Sequence, residues 1–231
     1  MIISTFNIQN NVRNYNKNKS KEIYNYIKKN KIDIIGLQEV FNKCNDDLGL
    51  MIGSKYNIVG KFRYFFNIFF PLKNERNPII SKYEILNNRT YHLPSHKAKY
   101  KRIITKAIIK YKGKLISVYN THIEVSNNEV KERQLNKIYN IIRRDKNDVI
   151  LMGDFNLKKT DSIFKEFIKK LKGININHVD LNDDTFKSHK DREEIDHIFV
   201  SNNFDINKKI VFKDLSISDH YPVIIDVNLK D

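Results

Sequence analysis

The sequence predicts an α/β fold in which β-sheets are covered by helices. Short apolar runs rich in Ile and Val recur along the chain and read as buried strands. Amphipathic segments with helical spacing alternate with them. At least one pair of runs is joined by a tight turn, Tyr111-Lys112-Gly113-Lys114, which marks a hairpin and excludes a purely parallel sheet.

The elements follow in order. Ile2 to Phe6 reads as a first strand, and Ser20 to Asn30 as a helix with Ile23, Tyr26 and Ile27 on one face. Asp33 to Leu37 is a short apolar strand ending in Gln38-Glu39, and a second helix is expected between Asn45 and Ser54. Tyr56 to Gly60, Pro78 to Ser81, Ile103 to Lys110 and Leu115 to Asn120 read as strands. Asn128 to Arg144 is an amphipathic helix carrying Val130, Leu135, Ile138, Ile141 and Ile142. A further helix runs from Asp161 to Leu171, and strands return at Ile195 to Val200, near Ile206 to Phe212, and at Pro222 to Val227. No Pro/Gly/Ser-rich linker divides the 231 residues, so one domain over 1–231 is expected.

Composition narrows the class. Lys and Arg number 42 against 27 Asp and Glu, a net charge of +15 that favours polyanions such as nucleic acid, anionic headgroups or polyphosphates. A chain loaded with Lys, Asn and Ile by A/T-rich coding would carry the same charge without such a partner. The single Cys44 leaves no internal disulfide, which fits a reducing compartment, and no run approaches a membrane span. A cytoplasmic monomer is the expectation.

Chemistry gathers at strand ends. Asn7 follows Ser4-Thr5-Phe6, Glu39 follows Ile34 to Gln38, and His122 closes Tyr119-Asn120-Thr121. Asp154 and Asn156 close Val149 to Gly153, Asp196 lies within Ile195 to Val200, and Asp219-His220 precedes Tyr221-Pro222-Val223. A lone strand-end Asp is usually a turn or cap residue. Repetition at six places is different, because strands of one sheet can converge at one edge. Carboxylates and carboxamides suit a hard divalent cation, and an imidazole beside them suits proton transfer.

Asn7, Gln38-Glu39-Val40, Thr121-His122, Gly153-Asp154-Phe155-Asn156, Ile195-Asp196 and Ser218-Asp219-His220-Tyr221-Pro222-Val223 stand in an order that resembles the endonuclease/exonuclease/phosphatase superfamily, in its deoxyribonuclease I-like branch. The resemblance spans essentially the whole chain. It implies a four-layer α/β sandwich, two central mixed β-sheets flanked by helices. It also implies a metal-dependent phosphoester hydrolase using Mg²⁺, with Mn²⁺ able to substitute. By position, Glu39, Asn7, Asp154, Asn156 and Asp219 match the metal and phosphate pocket. His220 matches the general base and Asp196 the carboxylate that orients it. His122 matches a second histidine that stabilises or protonates the leaving group, Glu75 the glutamate that pairs with it, and Arg102 an arginine on the phosphate. Asn156 is also expected to donate to a non-bridging phosphate oxygen.

The branch is narrowed by departures. Abasic-site endonucleases carry a tyrosine where this chain has His122. Inositol polyphosphate phosphatases place an arginine two residues past the motif asparagine, where this chain has Lys158, and a tryptophan-containing stretch near the late aspartate, where this chain has Arg192-Glu193-Glu194 and no Trp. Residues 93–102, 121–124 and 132–135 are faintly similar to tyrosyl-DNA phosphodiesterases.

Two substrate readings follow: a phosphodiester in nucleic acid, or a phospholipid headgroup or small phosphorylated metabolite. A non-catalytic binding protein on the same fold is a third reading, and the intact polar set speaks against it. The stretch 61–71, rich in Phe, could stack on bases with Lys61 and Arg63 on phosphates, dip into a membrane surface, or pack as core.

Overall fold

The computed structural model describes residues 1–10, 17–63, 75–187 and 192–230. In chain order the strands and helices are β1 (Ile2–Asn10), α1 (Lys17–Lys29), β2 (Ile34–Phe41), α2 (Asn42–Ile52), β3 (Asn57–Val59), β4 (Glu75–Arg76), β5 (Ile79–Ser81), β6 (Ile85–His92), β7 (Ile103–Tyr111), β8 (Lys114–His122), α3 (Asn128–Ile142), β9 (Asp148–Asp154), α4 (Ser162–Lys172), β10 (Ile176–His178), β11 (Phe186–Lys187), β12 (Arg192–Glu193), β13 (Asp196–Ser201), β14 (Phe204–Val211) and β15 (Val223–Leu229).

Two mixed sheets form the centre. The first runs β14-β15-β1-β2-β5-β3 with β4 also on β2, and the second runs β10-β13-β9-β8-β7-β6. Within these, β1/β2 and β8/β9 are parallel and the remaining pairs antiparallel. Pleating divides each strand between two faces. Ile3, Ile34, Ile116, Val118, Ile150, Met152, Ile198 and Val200 meet between the sheets. Phe6, Ile35 and Leu37 point the other way, onto Ile23, Tyr26 and Ile27 of α1 and Leu48 of α2. Tyr119, Leu151 and Phe199 point out onto α3 and α4 through Leu135, Ile138, Phe164 and Phe167. The layers are therefore helices, sheet, sheet, helices.

Most predicted elements hold with shifted ends. α1 begins three residues early, β1 continues to Asn10, and Asn127 caps α3 by accepting from the Val130 N–H. β6 escaped sequence reading because it is an edge strand whose central Leu86-Asn87-Asn88-Arg89 face solvent, so it has no apolar period to detect. Most of the 61–71 stretch lies outside the described residues. Of its start, Phe62 lies under Arg76, with the guanidinium 3.7 Å from the ring centroid, and Arg63 is buried against Glu75. Among the described residues no helix is long and apolar enough to cross a membrane.

Two glycines set how closely strands approach. A Cβ on Gly36 would lie 2.7 Å from the Asn120 side chain of the opposing sheet. Gly153 holds φ +148, and a Cβ there would lie 2.0 Å from the Thr121 carbonyl oxygen of β8. Only glycine fits a backbone so close in that conformation. Gly153→Ala is expected to cost roughly 3 kcal/mol or more of unfolding free energy. A urea midpoint within error of wild type would refute this account of the glycine.

Candidate active site

The pleat that builds the core also builds the site. Residues 118, 150, 152, 198 and 200 face the space between the sheets. His122, Asp154 and Asp196 continue those same even-numbered rows to the strand ends. Register then sets them side by side: His122 pairs with Asp154 across β8/β9, and Asp154 with Asp196 across β9/β13. The first sheet contributes Asn7 and Gln9 from β1 and Glu39 from β2, and the loop before β15 adds Asp219 and His220.

Asp154 is the hub. Its Oδ2 accepts from the Asn7 amide at 2.9 Å, lies 3.4 Å from His122 Nε2 and 3.8 Å from His220 Nε2, and its Oδ1 accepts from the Asn156 N–H at 2.9 Å. Asn7 also reaches Glu39 Oε1 at 3.4 Å. Its own Oδ1 accepts from the Gln9 N–H, so Asn7 presents N–H groups rather than oxygen to the carboxylates. In this geometry it ties Glu39 to Asp154. Asn156 donates to the Ile123 carbonyl at 3.2 Å, leaving one amide hydrogen unassigned. Gln9 Nε2 donates to Asp219 Oδ2 at 2.8 Å.

His220 Nδ1 is 2.8 Å from Asp196 Oδ2. Burial alone would lower the His220 pKa, but the charge and hydrogen bond of Asp196, then Asp154 and Asp219, raise it to about 10. Its ring packs on Phe186 at 4.9 Å between centroids, and its N–H donates to Ser218 Oγ, which in turn donates to the Asn7 carbonyl. Thr185 Oγ1 accepts from the N–H groups of Ile195 and Asp196, so the 185–187 segment braces both members of the pair.

His122 behaves oppositely. Burial, then Arg102, His220 and Arg63, hold its pKa well below the ordinary value. It is neutral near pH 7, so its approaches to Asp154 and Glu39 are not ion pairs. Arg102 Nη1 donates to its Nδ1 at 2.9 Å, which leaves the proton on Nε2, facing Asp154. His122 can therefore donate a hydrogen bond but does not carry a proton to release.

The expected pairing of Glu75 with His122 is not the one the structure makes. Glu75 does not supply the partner of His122 Nδ1; it is ion-paired with Arg63 at 3.1 Å. Arg102 is 5% exposed, and its contact with His122 Nδ1 sets the tautomer of that ring.

A divalent cation fits the donor set. Glu39 and Asp219 open to solvent, with side chains 23% and 34% exposed, beside the buried Asp154. Burial, then Glu75 and Asp154, raise the Glu39 pKa to about 7, and burial raises that of Asp154. Asp196 Oδ1 is buried without a partner. Clustered carboxylates under such strain call for positive charge, and their oxygens suit a hard cation. Asp154, Asp196 and His220 also bring ligand atoms within 4.8 Å of one another. Backbone strain marks the same place: Gln9, Glu39 and Asn156 hold φ of 44°, 56° and 47°, a region that side-chain-bearing residues seldom adopt.

Several contributors have no motif in the sequence. Gln9 stands two residues past Asn7, the only local hint. Phe186 and Thr185 sit in a segment with no periodicity. Lys131, whose Nζ donates to the Asn156 carbonyl at 2.8 Å, looks in sequence like any helix-surface lysine.

Solved structures of similar architecture cover nearly the whole chain. An endonuclease/exonuclease/phosphatase from Bacteroides vulgatus superposes with a TM-score of 0.84 at 22% identity, covering 99% of this chain and 98% of that one. A mannosyl-6-phosphatase from Bacteroides thetaiotaomicron gives 0.82 at 20% identity over 99% and 100%. The human Nocturnin catalytic domain gives 0.79 at 17% identity over 100% and 94%. No curated protein matches the sequence significantly. The sequence profile of the Endonuclease/Exonuclease/phosphatase family matches residues 4–220. The chain therefore belongs to that family of phosphoester hydrolases.

Proposed function

We propose that this protein is a Mg²⁺-dependent phosphodiesterase acting on nucleic acid. The hydrolytic part rests on one observation: a carboxylate-oriented imidazole, Asp196–His220, facing a cluster of carboxylates at the mouth of a buried site. A divalent cation on Glu39, Asp154 and Asp219 would neutralise phosphate charge and replace imidazolium as the carboxylates' counterion, bringing His220 down towards a base-competent range. His220 Nε2 then accepts a proton from the attacking water while Asp196 holds the ring and stabilises the charge that results. His122 donates through Nε2–H to a phosphate oxygen, and the free amide hydrogen of Asn156 does the same.

The nucleic-acid part is supported by the rim. Tyr100 is an exposed ring flanked by Arg63, Lys99 and Arg102, each with its cation 5.3–5.5 Å from the centroid. Arg102 links that ring directly to His122. An exposed aromatic among cations beside a phosphate site suits base stacking next to a scissile backbone, and the net charge of +15 favours the same partner.

An EDTA-controlled hydrolysis panel tests the reading, with single- and double-stranded DNA, RNA, a 5′-tyrosyl oligonucleotide, sphingomyelin, inositol phosphates and a mannose 6-phosphate conjugate. Cleavage of the lipid or sugar substrates with no nucleic acid cleaved would sink it. His220→Ala is expected to lower turnover by roughly 100- to 10,000-fold with circular dichroism unchanged. Near-wild-type turnover would overturn the assigned base. Tyr100→Ala is expected to raise KM for nucleic acid roughly 5- to 150-fold, as loss of stacking worth about 1–3 kcal/mol, and to leave turnover of a small aryl phosphodiester unchanged. An unchanged KM removes Tyr100 from substrate binding.

Glu39 gives the cation dependence a pH signature. Its folded pKa of about 7 lies above the ordinary 4.5, so its contribution to the cation-free protein is fully present below pH 4.5 and is lost as pH rises through about 7. Cation binding replaces the proton and restores that stability. Mg²⁺ at about 100 times its Kd is therefore expected to raise Tm by roughly 5–10 °C at about pH 8, and by much less near pH 5.5. Glu39→Gln should flatten the difference; an equal shift at both pH values in the wild type would contradict Glu39 as a ligand.

A further inference from the structure

We propose that His178, Glu194 and His197 form a second divalent-metal site, of zinc type, on the face of the second sheet opposite the catalytic groups. Their ligand atoms lie within 4.8 Å of one another. The site is distinct from the catalytic cluster because of the pleat. Asp196 points between the sheets, and His197, one residue on, points outward to the helix layer, where its ring lies 4.3 Å from that of Phe164. Its register partner across β9 is Gly153, while that of Asp196 is Asp154. β10 pairs with β13 so that His178 stands opposite Phe199 and diagonal to His197 on the same face. Glu194 comes from the connection just before β13.

Distances fit a tetrahedral ion. His178 Nε2 is 3.0 Å from His197 Nδ1, and that nitrogen is 3.6 Å from Glu194 Oε1. Donors about 2.0–2.1 Å from a tetrahedral zinc lie about 3.3–3.4 Å apart, so small movements of these groups would admit the ion. Two imidazoles and one carboxylate are also a donor set that zinc takes, with a fourth position left for water.

Orientation fits as well. His197 Nε2 lies 2.8 Å from the Leu157 carbonyl and must donate to it. A neutral ring then keeps its lone pair on Nδ1, the nitrogen facing His178 and Glu194. Metal-bound histidines characteristically donate their second N–H in this way. Without a cation, His178 Nε2–H donates to the His197 Nδ1 lone pair, and the Glu194 carboxylate faces that nitrogen at 3.6 Å as a second acceptor beside a fully buried ring. The Leu181 N–H reaches Glu194 Oε1 only at 3.4 Å, a partial remedy. His178 meets the one remaining requirement by moving its proton from Nε2 to Nδ1, which releases no net proton. The rings are pre-set by packing, since Phe155, Phe164 and Phe199 surround the pair. An ion here would tie β10 and the start of β13 together directly behind Asp196.

The test counts metal rather than activity, so it is independent of the proposed substrate and of the catalytic roles. Full-length protein is stripped with EDTA, equilibrated with Zn²⁺ in excess Mg²⁺ to occupy the oxygen-donor site, gel-filtered and analysed by inductively coupled plasma mass spectrometry. About one Zn²⁺ per chain is expected for the wild type and for Asp154→Asn. His178→Phe, which keeps a ring in the aromatic cluster, and Glu194→Gln, which keeps side-chain shape, should each weaken retention about 100-fold or more. Circular dichroism and melting confirm that both variants fold. Absence of zinc from the wild type, undiminished zinc in both folded variants, or loss of zinc in Asp154→Asn would overturn the proposal.

Discussion

The site depends on a polar clasp that holds the two sheets together at one end. Asn120 of β8 donates to the carbonyls of Leu37 and Pro78, both at 2.8 Å, and accepts from Gln38 Nε2 at 2.6 Å. All three side-chain contacts cross from one sheet to the other in a fully buried setting. A buried amide must find partners or carry a cost of about 1–3 kcal/mol for each group left unmet, so the clasp admits one alignment of the sheets. Gly36 lets the strands come close enough to make it. Glu39 follows Gln38 by one residue and His122 follows Asn120 by two. Fixing the clasp therefore fixes the distance between the carboxylate of one sheet and the imidazole of the other.

That alignment divides the labour of two histidines. Both are buried, yet His220 is pushed towards its charged form and His122 towards its neutral one. Burial opposes charge in both. The neighbours decide: three aspartates surround His220, whereas His122 meets a guanidinium on Nδ1. Surroundings that drive two pKa values apart let two imidazoles hold different protonation states in the same site at the same pH. Strain at Gln9, Glu39 and Asn156 belongs to the same design, since each strand must bend at its end to aim a side chain into the shared space.

The zinc-type cluster proposed behind Asp196 uses the same economy of the pleat. Adjacent residues of one strand, Asp196 and His197, serve opposite faces, one reaching the catalytic cluster and the other the aromatic layer under α4. A group that stiffens β13 from behind would steady the carboxylate that orients His220. The coupling would pass through one backbone segment and needs no longer route.

By itself the sequence determined the alternation of strands and helices and the polar residue that ends each strand. It also determined the ordered motifs that mark the family. These are local properties, written in periodicity, turn chemistry and short spacings. β6 stayed hidden because a solvent-facing edge strand has no apolar period, and Thr185, Phe186 and Lys131 because nothing near them in the chain announces a role; for Gln9 the only hint is its place two residues past Asn7. Only the tertiary structure decided the partners. It gave His122 to Arg102 and Glu75 to Arg63, turned the Asn7 amide towards Glu39 and Asp154, and set His122, Asp154 and Asp196 side by side. Those choices follow from strand register and from the packing of one sheet on another. Neither is visible to a reading that runs along the chain, because the groups that meet, Asn7 and Asp154 among them, lie 147 residues apart.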